Sequence, residues 1–386
     1  MVEALRNFQL FLDREAAKSS PLYTALTAQV SQDLQDGGPI SQVLVAAPER
    51  QRIPNLLFAA VQRTLFDEPD SDLAEYYPSL GGTRAPDAEL AETFSRFVLA
   101  HRDRIEQVLA TGETQTNEAR RAAQLFPAFG WAQACTRRPL GLIEVGTSAG
   151  LLLHADRYAY VYEFEDGSEL GAGEGSADGV PTLRCAVTAP AAQTTPQAIK
   201  ALTPFVSKDL RIASRVGLDL NPLDPADPEA RAWLDALVWP EHAERRARLR
   251  AALDHAARRP VRLRKGDALR ILPDAVDSVP DNAIPCVFVS NSLAHWTADG
   301  RADFAALIRR LGTRRDLVCV IKEGYATGLG LFTGRTHNLT EDEEAPYEVI
   351  GAAVYLGGQE RLFRLGTGEL HGVGLTWSPT PLPTNQ

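Results

Sequence analysis

Four cysteines in 386 residues form no Cys-x-x-Cys pair and have no histidine at ligand spacing, which excludes a cysteine-rich metal site. Cys135, Cys185, Cys286 and Cys319 are therefore expected as reduced thiols, and no metal is expected. Positive charge is not in excess. Fifty acids against 40 bases leave a net charge of −10, which argues against a general binder of nucleic acid or of an anionic membrane. Lysine supplies only five of those bases, so arginine is the default cation of the chain. No apolar window reaches the length that spans a bilayer. Met1-Val2-Glu3-Ala4-Leu5-Arg6 has no basic region followed by a long apolar stretch, which predicts no signal peptide and a cytoplasmic protein. No internal repeat is found, and no Gly-Lys-Ser/Thr follows the glycine-rich stretch 163–179, whose acids would repel phosphate.

Hydrophobic residues make up 44% of the chain and charged residues 23%, ample for a sizeable core. The length favours two domains. Residues 1–138 read as an all-helical domain, expected to serve as a lid. Leu90, Phe94, Phe97, Val98, His101, Ile105, Val108 and Leu109 keep one face apolar and predict one helix stopped by Gly112, with His101 a core histidine. Asn55–Val61 is a second apolar helix. From Pro139 the pattern changes to short apolar strands, Leu142–Val145, Val216–Leu220, Val261–Leu263, Pro285–Ser290 and Leu317–Lys322. The helices Pro228–Val238, Glu241–Ala257 and Arg301–Leu311 lie between them. This alternation predicts an α/β fold, a mostly parallel Rossmann-like sheet over 139–386. Tyr347–Leu356, Gln359–Leu365 and Leu370–Trp377 predict an antiparallel C-terminal hairpin finish. A hairpin insertion with a mobile tip is expected at about 157–190, with Thr182–Val187 as its returning strand, and a Pro/Thr-rich tail closes the chain.

Chemistry concentrates at three strand ends. Leu142-Ile143-Glu144-Val145-Gly146-Thr147-Ser148-Ala149-Gly150 reads as a strand ending in an acid, then a small-residue turn opening a helix. Amides after Gly146 are expected to face outward, where partial positive charge favours a carboxylate. Glu144 can accept from an ammonium, and a ligand with both groups on one carbon is an amino acid. Asp219, before Leu220-Asn221-Pro222, can take two ribose hydroxyls or close an Asx turn. Asp267 can accept from an adenine amino group, with the Ala268 amide donating to the ring, or cap a helix. The three acids together describe a site for S-adenosylmethionine. The glycine spacing does not match Gly-x-Gly-x-x-Gly, which makes an NAD-dependent oxidoreductase the weaker alternative.

On the acceptor side, above the carboxyl ends of the strands, stand Asn291, Ser292, His295 and Trp296 after the fourth strand and Glu323 after the fifth. His295 is the candidate general base, with Asn291 and Glu323 as further catalytic candidates. Thr116-Asn117-Glu118 begins a helix, and Asn117, Glu118 and Arg121 can reach the crevice as substrate-binding residues. Trp239-Pro240-Glu241-His242 reads as a joint between helices. The arginines from Arg245 to Arg264 are expected mostly on the solvated side of a helix buried through Leu249, Leu253 and Ala256.

Residues 140–377 resemble a class I S-adenosylmethionine-dependent methyltransferase in the first strand and loop, the ribose acid and the adenine-side acid, with Ser148 standing where that pattern has a glycine. The chain also resembles the uncharacterised bacterial domain-of-unknown-function family 2332. That likeness is carried by Asn55–Val61, 115–121, Glu144–Gly150 with Asp156-Arg157-Tyr158, Gly217–Asp224, Trp239-Pro240-Glu241-His242 and Gly266-Asp267. The first resemblance implies methyl transfer to a small-molecule acceptor, with Glu144, Gly146, Thr147, Ser148, Gly150, Asp219, Leu220, Asp267, Ala268 and Asn291 around the cofactor and Trp296 near the acceptor. A non-catalytic sensor or assembly protein that keeps the same fold is the rival expectation.

Overall fold

A computed structural model describes residues 1–174, 179–191, 193–334 and 347–383. Part of the expected insertion tip (175–178) and the last three residues of the tail lie outside the described residues. The chain divides into two compact units, Met1–Thr116 with Asp227–Arg250, and Asn117–Ala226 with Ala251–Gln386. The helix Ala122–Thr136, which the sequence groups with the helical domain, thus belongs with the sheet. The segment 227–250 belongs with the N-terminal helices.

The first unit is helical, as its patterning predicts. Its centre is the helix Pro54–Leu65, buried at every position except Asn55, with Phe58 stacked on Tyr23 at 4.6 Å. The expected long helix after residue 90 is two, Leu90–Ala100 and Arg102–Thr111. His101 breaks it with φ −111 and ψ 26, and its ring stacks on Phe97 at 4.2 Å. The Trp239–His242 segment is the expected joint. Glu241 accepts from Ser20 Oγ at 2.9 Å and from the Leu22 amide at 3.0 Å, so it serves the start of the helix Pro21–Asp36. Arg246 departs from the solvated-face expectation. It is buried and donates to Asp235 and to the carbonyl of Val238, because this face of its helix turns inward.

Among the described residues, the second unit carries eleven strands. They are β1 (Leu140–Val145), β2 (Ala159–Phe164), β3 (Glu169–Gly173), β4 (Thr182–Val187), β5 (Ile212–Asp219), β6 (Arg262–Lys265), β7 (Ile284–Ser290), β8 (Leu317–Glu323), β9 (Tyr347–Leu356), β10 (Gln359–Glu369) and β11 (Gly374–Leu382). Their order is β3-β2-β4-β11-β10-β9-β8-β7-β1-β5-β6. The stretch β6-β5-β1-β7-β8 is parallel, and it is the Rossmann-like order with a reversal between β1 and β7. β1, β7 and β8 are buried along their whole length, which is why they read as continuous apolar runs rather than alternating ones. One face packs on helices Ala268–Asp277 and Ala298–Arg314 through Leu272, Val276, Phe304 and Ile308. The other meets Ala122–Thr136, with Phe129 5.0 Å from Phe288 and Trp131 4.8 Å from Phe363.

The finish is an antiparallel meander of β9, β10 and β11, and β11 runs on into the proline-rich tail. Thr182–Val187 is not the returning strand of the insertion. β3 returns antiparallel to β2, while β4 pairs parallel to β2 on its other side. Tyr158, Tyr160 and Tyr162 all point inward from this insertion and donate to the carbonyls of Leu151, Ala155 and Ala123. Cys286 and Cys319 lie on neighbouring strands, but Cys319 is in register with Val287, so the two thiols face opposite sides of the sheet. All four cysteines are free. No helix among the described residues is long and apolar enough to cross a membrane.

Gly217 in β5 is where the sheet closely approaches the loop after β1. A Cβ there would lie 2.5 Å from Thr147 Cγ2 and Oγ1. Gly217→Ala is expected to destabilise the protein by about 1–3 kcal/mol in chemical denaturation, as overpacking does. Unchanged stability would show that the loop yields freely.

Candidate functional site

The loop after β1 is built around three left-handed residues at alternate positions, Gly146 (φ 78), Ser148 (φ 49) and Gly150 (φ 71). Two are glycines, for which that region carries no Cβ penalty. Ser148 adopts the same conformation with a side chain. Its amide donates to Asp219 Oδ2 at 2.8 Å, and Asn117 Nδ2 donates to its hydroxyl at 2.7 Å. The glycine of the methyltransferase pattern is therefore replaced in identity and kept in backbone.

The expectation that the loop amides face outward is not met. Gly146 and Thr147 donate to the Leu218 carbonyl at 2.9 and 3.3 Å, and Gly150 donates to Thr147 at 2.8 Å. Ala149 donates to Asn117 Oδ1 at 3.3 Å. With Ser148 on Asp219, all five amides are engaged inside the chain, because the loop closes onto the ends of β5 and the 117 segment. The helix expected after Gly150 is one short 3₁₀ segment, Leu151–Arg157.

Glu144 is buried at the end of β1 and accepts from Thr147 Oγ1 at 2.7 Å. Burial pushes its carboxyl up to about 8, helped by nearby Asp219 and opposed by the Thr147 bond and by Arg121. Asp219 is half-buried; its second oxygen accepts from the Asn221 amide at 2.9 Å, which is the Asx turn that the following proline suggested. Leu220 beside it is 66% exposed. Asp267 is exposed and caps the helix Ala268–Asp277 by accepting from Leu269, while the Gly266 amide ties the same turn to Asp219 at 2.8 Å. Ala268 is buried under that cap.

The carboxyl ends of β7 and β8 and the amino end of β9 supply a second polar group. Asn291 is left-handed (φ 58) and donates to Glu348; Lys322, wholly buried, donates to Glu348 and to Asn291 Oδ1 at 3.2 Å. Burial pulls the Lys322 ammonium down to about 8, against the pull of Glu348. Glu323 lies beneath the loop after β7, where Oε1 accepts from the Ser292 and Leu293 amides at 2.6 and 2.8 Å. Its other oxygen is buried without a hydrogen-bond partner among the described residues, and burial raises the group to about 7 despite those two amides. Its contacts hold the loop. Ser292 packs on Gly146 where a side chain would otherwise stand, so the loops of β1 and β7 meet at the reversal of strand order.

The remaining sequence candidates fall in two groups. Asn117, Glu118 and Arg121 belong to this unit, but no helix starts at 116. Residues 112–118 run outside regular structure, and Ala119–Arg121 form a 3₁₀ turn capped by Glu118 Oε1 on the Arg120 amide. Glu118 and Arg121 are both buried, and Arg121 Nε donates to the Leu370 carbonyl at 2.9 Å. His295 is exposed at the end of a short 3₁₀ turn, and Trp296 packs on Phe304 with ring centroids 6.0 Å apart. Neither joins the buried group. Lys322 and Glu348 were missed, although a lysine ending an otherwise apolar strand in so lysine-poor a chain was a usable signal.

His154 and His255 were also missed. Both are buried in the second unit with ring centroids 5.4 Å apart. Neither nitrogen of His154, nor Nε2 of His255, has a hydrogen-bond partner among the described residues. No group of three or more potential metal ligands exists among the described residues.

The parallel order with buried charge at its reversal defines a Rossmann-like α/β protein with a candidate site at the carboxyl ends of β1, β5, β7 and β8. A family model described as "Uncharacterized protein conserved in bacteria (DUF2332)" matches residues 6–377, and the chain belongs to that family. A search of the curated proteins finds no match.

Burial, then the charges of His255, Arg157, Arg215 and Arg259, press His154 down to about 3, and burial with Arg259 presses His255 down to about 4. The unfolded chain, with histidines near 6.5, binds protons that the folded chain refuses between that value and about 4. The pair therefore withdraws stability as pH falls through this window. Relative to wild type, His255→Gln is expected to gain on the order of 1 kcal/mol between pH 7 and pH 5 in urea denaturation. An equal offset at both pH values would show that His255 titrates normally.

Proposed function

We propose that this protein is an S-adenosylmethionine-dependent methyltransferase acting on a small molecule in the cytoplasm. One observation carries the reading: Glu144, Asp219 and Asp267 end or follow three adjacent parallel strands, β1, β5 and β6, with the first loop tied to Asp219 through Ser148. The described residues fit the nucleoside half of such a ligand. Each oxygen of Asp219 spends one bond within the chain, and a carboxylate oxygen can accept a second from a ribose hydroxyl. Exposed Leu220 offers an apolar surface to a flat ring. Asp267 and the Ala268 amide stand on the adenine side. Glu144 is the acceptor for an ammonium, and burial makes such a charge-assisted bond strong.

Bound there, the cofactor supplies an activated methyl group together with its own leaving group. What the chain must then do is hold the acceptor in line and exclude water. Asn291, fixed by Lys322 and Glu348, is the side chain suited to orient an acceptor at the reversal of strand order. Glu323 supports it by holding the loop from below. A second reading, a non-catalytic S-adenosylmethionine or nucleotide sensor, is favoured by the loop amides, which are already committed to the chain.

Calorimetry with S-adenosylhomocysteine is expected to show binding to the wild-type protein and at least tenfold weaker binding to Asp219→Ala. Absence of binding to the wild type, or equal affinity in the variant, overturns the assignment. Binding without turnover of any metabolite pool would favour the sensor.

A further inference from the structure

A loop that follows a first strand ordinarily offers its backbone amides to the anionic end of a ligand. Here the chain itself fills that seat. The Ser148 amide donates to a protein carboxylate, Asp219 Oδ2, at 2.8 Å, and the Ala149 amide donates to Asn117 Oδ1 at 3.3 Å. Gly146 and Thr147 share the Leu218 carbonyl, and Gly150 closes on Thr147. The buried cations Arg121 and Lys322 of the same unit also donate within the chain, Arg121 to Leu370 and Lys322 to Asn291 and Glu348. Acceptors are in better supply. Glu144 spends one oxygen on Thr147 Oγ1 at 2.7 Å and keeps the other without a hydrogen bond among the described residues. Asp219 ends the adjoining strand β5, and Asp267 follows β6 beside it. A carboxylate brought up by a ligand meets carboxylates of its own sign at this place, whereas an ammonium meets opposite charge.

We infer that the site recognises adenosyl amines: Glu144 takes the ammonium, and the α-carboxylate of an amino-acid ligand goes unrecognised because Asp219 and Asn117 already hold the loop amides that would receive it. This rests on the S-adenosylmethionine reading and names its ligand class. Decarboxylated forms of the cofactor are then ligands of equal rank with those that keep the carboxylate. Discrimination comes from the adenosyl group and the charged nitrogen, since a charge-assisted bond to a buried carboxylate is the strong kind.

The test is calorimetry on the wild-type protein with three probes. S-adenosylhomocysteine carries both charges, decarboxylated S-adenosylhomocysteine carries the ammonium alone, and 5′-methylthioadenosine carries neither. The first two should bind within about threefold of each other, and both about 10- to 100-fold more tightly than methylthioadenosine. Glu144→Gln should bring the decarboxylated probe down to the affinity of methylthioadenosine and leave methylthioadenosine itself unchanged. Thermal melts establish that the variant is folded, and if it is not, the wild-type comparison decides alone. A preference of tenfold or more for S-adenosylhomocysteine over its decarboxylated form overturns the inference, because the carboxylate is then recognised. Equal binding of all three probes, or an undiminished advantage of the decarboxylated probe in a folded Glu144→Gln, overturns it as well. Failure of all three to bind the wild type removes the underlying S-adenosylmethionine reading, and the inference with it.

Discussion

The bond from the Ser148 amide to the Asp219 carboxylate joins two strand ends that chain order keeps far apart. Around it the loop closes, with Gly146 and Thr147 on the Leu218 carbonyl and Gly266 on the Asp219 carbonyl. Three strands, β1, β5 and β6, are thereby locked at their carboxyl ends as well as along their ladders. Gly217 lets Thr147 lie against β5, and Thr147 in turn reaches Glu144. The conformation of Ser148, which costs a residue bearing a Cβ about 1 kcal/mol, persists because hydrogen bonds at both its amide and its hydroxyl over-determine it.

Charge buried in a sheet protein is expensive, and the second unit carries a group of it. Glu118, Arg121, Glu144, Lys322, Glu323 and Glu348 are all buried in the second unit, and where their bonds are described they run to strand ends or to the turns beside them. A core of similar volume built from apolar residues would fold at least as well. Groups whose titration is displaced by burial and by specific neighbours cluster at functional sites, which is the physical ground for looking here rather than at the exposed His295.

Much of this was legible in the residues. Parallel strands buried on both faces leave continuous apolar runs, so β1, β7 and β8 announced themselves, and the acids ending β1 and β5 were visible because they interrupt such runs. Other features depend on tertiary choices that local pattern does not encode. The helix Ala122–Thr136 is apolar nearly all round, so its sequence says that it is buried but not against what. The strand β4 alternates like any half-buried strand, and nothing local tells whether it pairs parallel or antiparallel. The engagement of the loop amides was hidden for the same reason, since Asn117 and Leu218 reach the loop only in the folded chain. The break at His101 and the inward turn of Arg246 are likewise decided by packing over helix periodicity.

The meander joins the insertion through a narrow seam, for β11 pairs with β4 only at Gly374 and Leu375. Beyond that point one side of β11 runs on without a partner strand among the described residues, the kind of border along which separate molecules add to one another. Pro379 and Pro381 stand there and have no N–H to offer, and Phe205 lies 5.8 Å from Trp377 over the same strand. The two prolines thus shape this border of the sheet in a form that discourages intermolecular β-pairing without any charge being spent on it.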